Sequence, residues 1–102
     1  YSINIIKTEL SQMFANITAI KRANKEIGHH FFSKGALRFF NSTVYPRVYG
    51  GRYFVTSEFH SGDAPVRYTV RGAQPDGAIK TVSEFQEFAT KDLAITFAKG
   101  LK

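Results

Sequence analysis

The chain has 102 residues, 43 % of them hydrophobic and 15 % aromatic, with ten phenylalanines and no tryptophan. That supports one domain with a phenylalanine-rich core and excludes a disordered tail. With no cysteine, disulfides, thiolate catalysis and zinc sites with sulfur ligands are excluded, and fourteen Lys and Arg against eight Asp and Glu give a net charge of +6, which favours acidic partners such as nucleic acid.

The opening YSINIIKTEL lacks the basic start, long apolar centre and small-residue cleavage site of a signal peptide. No apolar run approaches the roughly 20 residues that span a bilayer. From Thr8 to Ile27 the residues Leu10, Met13, Phe14, Ile17, Ile20, Ala23 and Ile27 recur at three- and four-residue steps. This predicts helix over 5–28, as one element or as two broken near Ala15-Asn16. Thr8 or Ser11 is the expected cap and Gly28 the expected stop. Lys21, Arg22 and Lys25 read as cations offsetting the helix dipole.

HHFFSKGALRFFNSTVYP follows, with Phe31-Phe32 and Phe39-Phe40 bracketing a polar turn at Ser33-Lys34-Gly35. Leu37 to Asn41 reads as a short strand, and Pro46 bars a central strand from running through it. His29-His30 carries no carboxylate at a spacing suited to a metal.

VYGGRYFVTSEF comes next. Gly50-Gly51 lacks the remainder of a phosphate-binding signature, and a strand, not a helix, follows it. The pair is expected to bend the chain so that the strand can begin. Alternation over Arg52–Phe59 places Tyr53, Val55, Ser57 and Phe59 on one face and Arg52, Phe54, Thr56 and Glu58 on the other. HSGDAP is a loop. Its His60 and Asp63 form the nearest thing to an acid–base pair, and no other catalytic pattern accompanies them. Val66 to Arg71 predicts Val66, Tyr68 and Val70 toward the core, with Arg67, Thr69 and Arg71 toward water. Gln74-Pro75-Asp76-Gly77 is a turn, and Ala78 to Val82 the returning strand. Phe85 to Phe88 fits either strand or helix. Thr90 is the expected cap of a final helix with Asp92 in its first turn and Leu93, Phe97 and Leu101 along one face, with Ala94 beside it.

The expectation is therefore an α+β fold in one domain spanning 1–102. Helix covers 5–28, a three- to four-stranded antiparallel meander covers 37–88, and a C-terminal helix over 90–101 packs on one sheet face. The other sheet face is expected to be partly bare. Two strands in register would gather Arg52, Phe54, Arg67, Thr69 and Arg71 on one face, with Lys80 joining and Arg38 and Arg47 flanking. Arginines with an aromatic among them can contact phosphates and stack on bases. The competing reading is a solvated face whose arginines pair with Glu58 and Glu84.

The stretches RFFNSTVYPRVYGGRYFVTSE and RYTVRGAQPDGAIKTVSEFQEFAT resemble a family of small proteins encoded by bacteriophages and other mobile elements, a domain of unknown function. The resemblance spans Ile17 to Ala98. It implies phage or mobile-element origin and a cytoplasmic setting in a host cell, and it offers no active site to carry over. The C-terminal strand, PDG turn, strand and helix are also similar to AP2-like and integrase-arm DNA-binding domains, whose three-stranded sheet enters the major groove.

Taken together, these features predict a non-enzymatic basic binding protein that contacts nucleic acid, DNA ahead of RNA, through Arg38, Arg47, Arg52, Phe54, Arg67, Arg71 and Lys80. The alternative is an interaction module that inhibits a host defence or nucleic-acid-handling complex, in the manner of anti-CRISPR proteins, by meeting an acidic host protein surface. Tyr45, Tyr49 and Phe54 would be its anchors. No cofactor, metal or membrane is expected, and a bare sheet face or free edge strand would suit a homodimer.

Overall fold

A computed structural model describes residues 14–39, 41–59 and 64–101. The elements run α1 (Ile17–Glu26), α2 (Lys34–Phe39), β1 (Thr43–Val44), β2 (Tyr53–Glu58), β3 (Arg67–Ala73), β4 (Ile79–Thr81) and α3 (Lys91–Lys99). The strands form one antiparallel meander in the order β1-β2-β3-β4, so the fold is α+β with helices on the sheet.

The expected caps Thr8 and Ser11 lie outside the described residues, as do Leu10, Met13 and Phe40. The described helix begins at Asn16, whose extended backbone and side-chain oxygen cap it by accepting from the Ala19 amide at 2.9 Å. It ends at Gly28 as expected. The Gly28 and His29 amides close back on the Lys25 and Asn24 carbonyls.

Leu37–Phe39, expected in a strand, instead belong to α2. The Ser33 hydroxyl accepts from the Ala36 amide at 3.2 Å and starts α2. Asn41, at φ 52°, stops it, with the Ser42 amide bonding the Leu37 carbonyl. The cap and the left-handed stop outweigh the aromatic content that suggested extended chain.

The two glycines before β2 do bend the chain. Gly50 and Gly51 both have positive φ, at 59° and 76°, and the Arg52 amide closes the turn on the Tyr49 carbonyl at 3.2 Å. Tyr49 then bridges Tyr53, and the Gly51 carbonyl accepts from the Phe14 amide at 2.7 Å. The twist of such a turn matches the twist of the strand it feeds.

Register pairs Phe54 with Arg71, Thr56 with Thr69 and Glu58 with Arg67, so the alternation read from sequence holds for β2. Both faces of the sheet are covered, which corrects the expectation of a bare one. Ile17 and Ile20 of α1 pack on Phe54, Ala73 and Ile79, with Phe31 and Phe32 beside them. Ala94 and Ala98 of α3 pack on Tyr53, Val55 and Val70 on the opposite face. Thr90 caps α3 as expected. Of the face expected inside, Phe97 and Leu101 pack against the core beside buried Ala94 and Ala98, while Leu93 is 54 % exposed. Small residues let this helix lie close to the sheet.

Phe85–Phe88 resolves as a turn whose last residue joins the sheet. Phe88 exchanges both backbone hydrogen bonds with Tyr68, at 2.8 and 3.0 Å. Val66, expected in the core, is 44 % exposed because β3 begins at Arg67.

Candidate functional site

The arginine-bearing sheet face is assembled as its spacing requires and then buried. Phe54 is fully enclosed under α1, Phe31 and Phe32, so it offers no ring to a base. Fully burying such a side chain contributes about 2–3 kcal/mol, which holds it there. Arg71, expected to face water, donates from Nη2 to the Glu58 carboxylate at 2.9 Å, with side-chain exposures of 10 % and 0 %. Its Nε donates to the Thr56 hydroxyl and its Nη1 to the Thr81 hydroxyl. Thr56 and Thr69 each donate to the same carboxylate, and the Gln86 amide donates to Thr69. Thr69 is therefore inside too. A buried ion pair survives when added hydrogen bonds support it, as the Thr56, Thr69 and Thr81 hydroxyls do here. Of the competing reading, a solvated face with arginines on Glu58 and Glu84, the structure contains the Arg71–Glu58 pair but buries the face that carries it.

Arg67 is likewise occupied. Its guanidinium donates to the Gln86 and Glu87 carbonyls at 2.7 and 2.8 Å and holds the 84–88 turn. Arg52 sits in the turn before β2 with its guanidinium carbon 5.2 Å from the Tyr53 ring centre, and its buried Nε has no partner among the described residues. Lys80 pairs in register with Gly72, while Thr81 pairs with Arg71. Lys80 is thus on the opposite face from Arg71, exposed at the sheet edge. Of the seven residues expected at the site, Arg38, Arg47 and Lys80 are exposed, and the register does not bring them together.

The charge itself is unevenly placed. Between residues 14 and 52, seven basic side chains accompany one acidic one, Glu26; among the described residues from 53 to 101 there are five of each. The whole excess of the described chain lies in its helical half. Six of those seven cations, Lys21, Arg22, Lys25, Lys34, Arg38 and Arg47, are exposed. On α1 the division is clean. Ile17, Ile20 and Asn24 face inward, while Lys21, Arg22 and Lys25 recur at three- and four-residue spacing on the outer face. Lys21 and Lys25 border a hollow of about 330 Å³ shared with His30, Phe32 and Ser33. The Lys21 ammonium lies 5.9 Å from the Phe32 ring centre.

Buried Asn24 fixes this layer to the sheet. Its side chain donates to the Gly77 carbonyl at 2.9 Å and accepts from the Phe31 amide at 2.7 Å. It also lies 3.0 Å from His29 Nδ1, which accepts from the Ile79 amide.

On the opposite side, Tyr45, Tyr49, Arg47, Lys91 and Lys99 line a groove of about 450 Å³ against α3. Two of its cations already lie over rings, Lys91 at 4.8 Å from Tyr45 and Arg47 at 5.9 Å from Tyr49. Burial pushes the Tyr68 phenol above its ordinary value, and neighbouring Tyr45 adds to the effect.

Among the described residues no cluster of His, Asp or Glu could hold a metal. His60 and Asp63 lie outside them. No helix of the described residues is long and apolar enough to cross a membrane.

The chain matches a family of unknown function, DUF7447, over residues 16–99, and belongs to that family. No curated protein and no solved structure matches it.

Proposed function

We propose that this DUF7447 member is a small, non-enzymatic nucleic-acid-binding protein of a phage or other mobile element, acting in the cytoplasm of the host cell. The observation that carries the reading is the exposed cationic layer. The net charge of the described chain lies between residues 14 and 52, and five of the seven cations there are exposed on α1 and α2. Lys21, Arg22 and Lys25 on α1, with Lys34 and Arg38 on α2, would contact backbone phosphates, which position a protein without reading sequence. This moves the interface away from the sheet, whose arginines are engaged internally. The phage origin rests on the ordered run of FFN, VYGGRYFVTSE, YTVR and PDG in the sequence.

The test is fluorescence anisotropy with labelled DNA and RNA at about 50 and 200 mM salt. The reading expects affinity in the micromolar range or tighter at the higher salt, falling steeply as salt rises. Binding confined to the lower salt would overturn it and direct the search to an acidic protein surface.

A further inference from the structure

A cleft of about 620 Å³ opens between α2 and the sheet, lined mainly by Phe31, Gly35, Leu37, Arg71, Thr81 and Phe85. That volume is within the range of small-ligand sites. The Arg71 guanidinium carbon lies 5.4 Å from the Phe31 ring centre and 5.6 Å from the Phe85 ring centre. A guanidinium has five N–H groups. Three are engaged by Thr56, Thr81 and Glu58. One N–H on each terminal nitrogen is left without an acceptor among the described residues.

The charge state restricts what can bind there. Glu58 already neutralises Arg71. A second anion in the cleft would be an uncompensated charge between phenyl rings, which is costly to desolvate. The fitting ligand is uncharged, flat enough to lie against aromatic rings, and carries a carbonyl oxygen for the remaining N–H groups. Nucleobases have these properties. Lys34 and Arg38, four residues apart on the helix that supplies cleft residues Gly35 to Leu37, share one exposed face, within reach of the phosphates next to a bound base.

We infer that the cleft takes one unpaired, carbonyl-bearing nucleobase of the bound strand, its oxygen on Arg71 and its neighbouring phosphates on Lys34 and Arg38. The inference rests on the nucleic-acid reading and makes it more specific, because it requires single-stranded ligand.

The experiment compares oligothymidylate, oligoadenylate and an oligonucleotide of the same length made entirely of abasic residues, at about 200 mM salt. A stacked base adds enough that oligothymidylate should bind about tenfold tighter than the abasic chain. Adenine has no carbonyl, so oligoadenylate should fall between the two. Gly35 lines the cleft and a Cβ there meets nothing within 4 Å, so Gly35→Phe is tolerated and its ring should compete for the cleft. It should lower thymidylate affinity to the abasic level and leave abasic affinity unchanged. If that variant fails to fold, Phe85→Ala replaces it, because Phe85 is 40 % exposed. Equal affinity for the thymidylate and abasic chains, both bound well, would overturn the cleft assignment and leave the phosphate-binding face intact. If neither chain binds, both readings fall.

Discussion

The Arg71 guanidinium and the Glu58 carboxylate meet at 2.9 Å on one face of the sheet, with Glu58 wholly out of solvent. A charge pair so placed stabilises only as a pair. Replacing Arg71 with Met would leave Glu58 charged and uncompensated, and should cost about 3–5 kcal/mol in urea denaturation. The joint change Glu58→Gln with Arg71→Met should recover most of that loss. A single-variant cost below about 1 kcal/mol would mean the pair behaves as a surface one.

Asn24 is the hinge pin between helix and hairpin, bonded to the Gly77 carbonyl and the Phe31 amide. Asn24→Ala should cost about 2–3 kcal/mol, because the buried Gly77 carbonyl and the half-buried Phe31 amide lose their partner. Thr18→Ala, at an exposed position on the same helix, should stay within about 0.5 kcal/mol. Comparable losses for the two would refute the assignment.

Gly77 has φ 103°, and a Cβ added there would lie 2.5 Å from the Ala23 carbonyl carbon. The obstruction is helix backbone, which cannot step aside as a flexible side chain could. Gly77→Ala should therefore destabilise by more than about 2 kcal/mol. Hydrogen exchange should show α1 protection falling before that of β2 and β3. Unchanged α1 protection would show that the hairpin does not seat the helix.

Much of this was legible in the sequence wherever one local rule decided the outcome. Period-two alternation set the faces of β2, Gly50-Gly51 marked the turn before it, and Thr90 marked the start of α3. Local rules failed for α2, where aromatic residues suggested extended chain but the Ser33 cap and Asn41 stop decided otherwise. Alternation also placed Arg71 correctly on the Phe54 face without revealing what covers it. The rings beside Arg71 are Phe31, forty residues upstream, and Phe85, beyond the next strand, and neither is visible to a strand-by-strand reading. Taken singly, the cations of α1 have a sufficient role as partners of the helix dipole. Counting charge along the chain, rather than over the whole, carries the signal that separates the helical half from the sheet.

The final helix offers a test of that contrast. Leu93 was expected inside and is 54 % exposed, while Ala94 and Ala98 are fully buried against the sheet. Leu93→Ser should change stability by less than about 0.5 kcal/mol. Ala98→Leu should cost about 1–3 kcal/mol by overpacking. Thermal melts that reverse this order would place the wrong stripe of α3 on the sheet.

The most direct test of the proposed function is the salt dependence of single-strand binding in the full chain and in a Lys21→Ala, Arg22→Ala, Lys25→Ala variant. All three side chains are exposed, so the fold should survive, and circular dichroism checks it. The account predicts weaker binding for every sequence tried, and a plot of log affinity against log salt shallower by about two units, close to 0.7 per cation removed. An unchanged slope and affinity in a folded variant would contradict it and remove α1 from the interface.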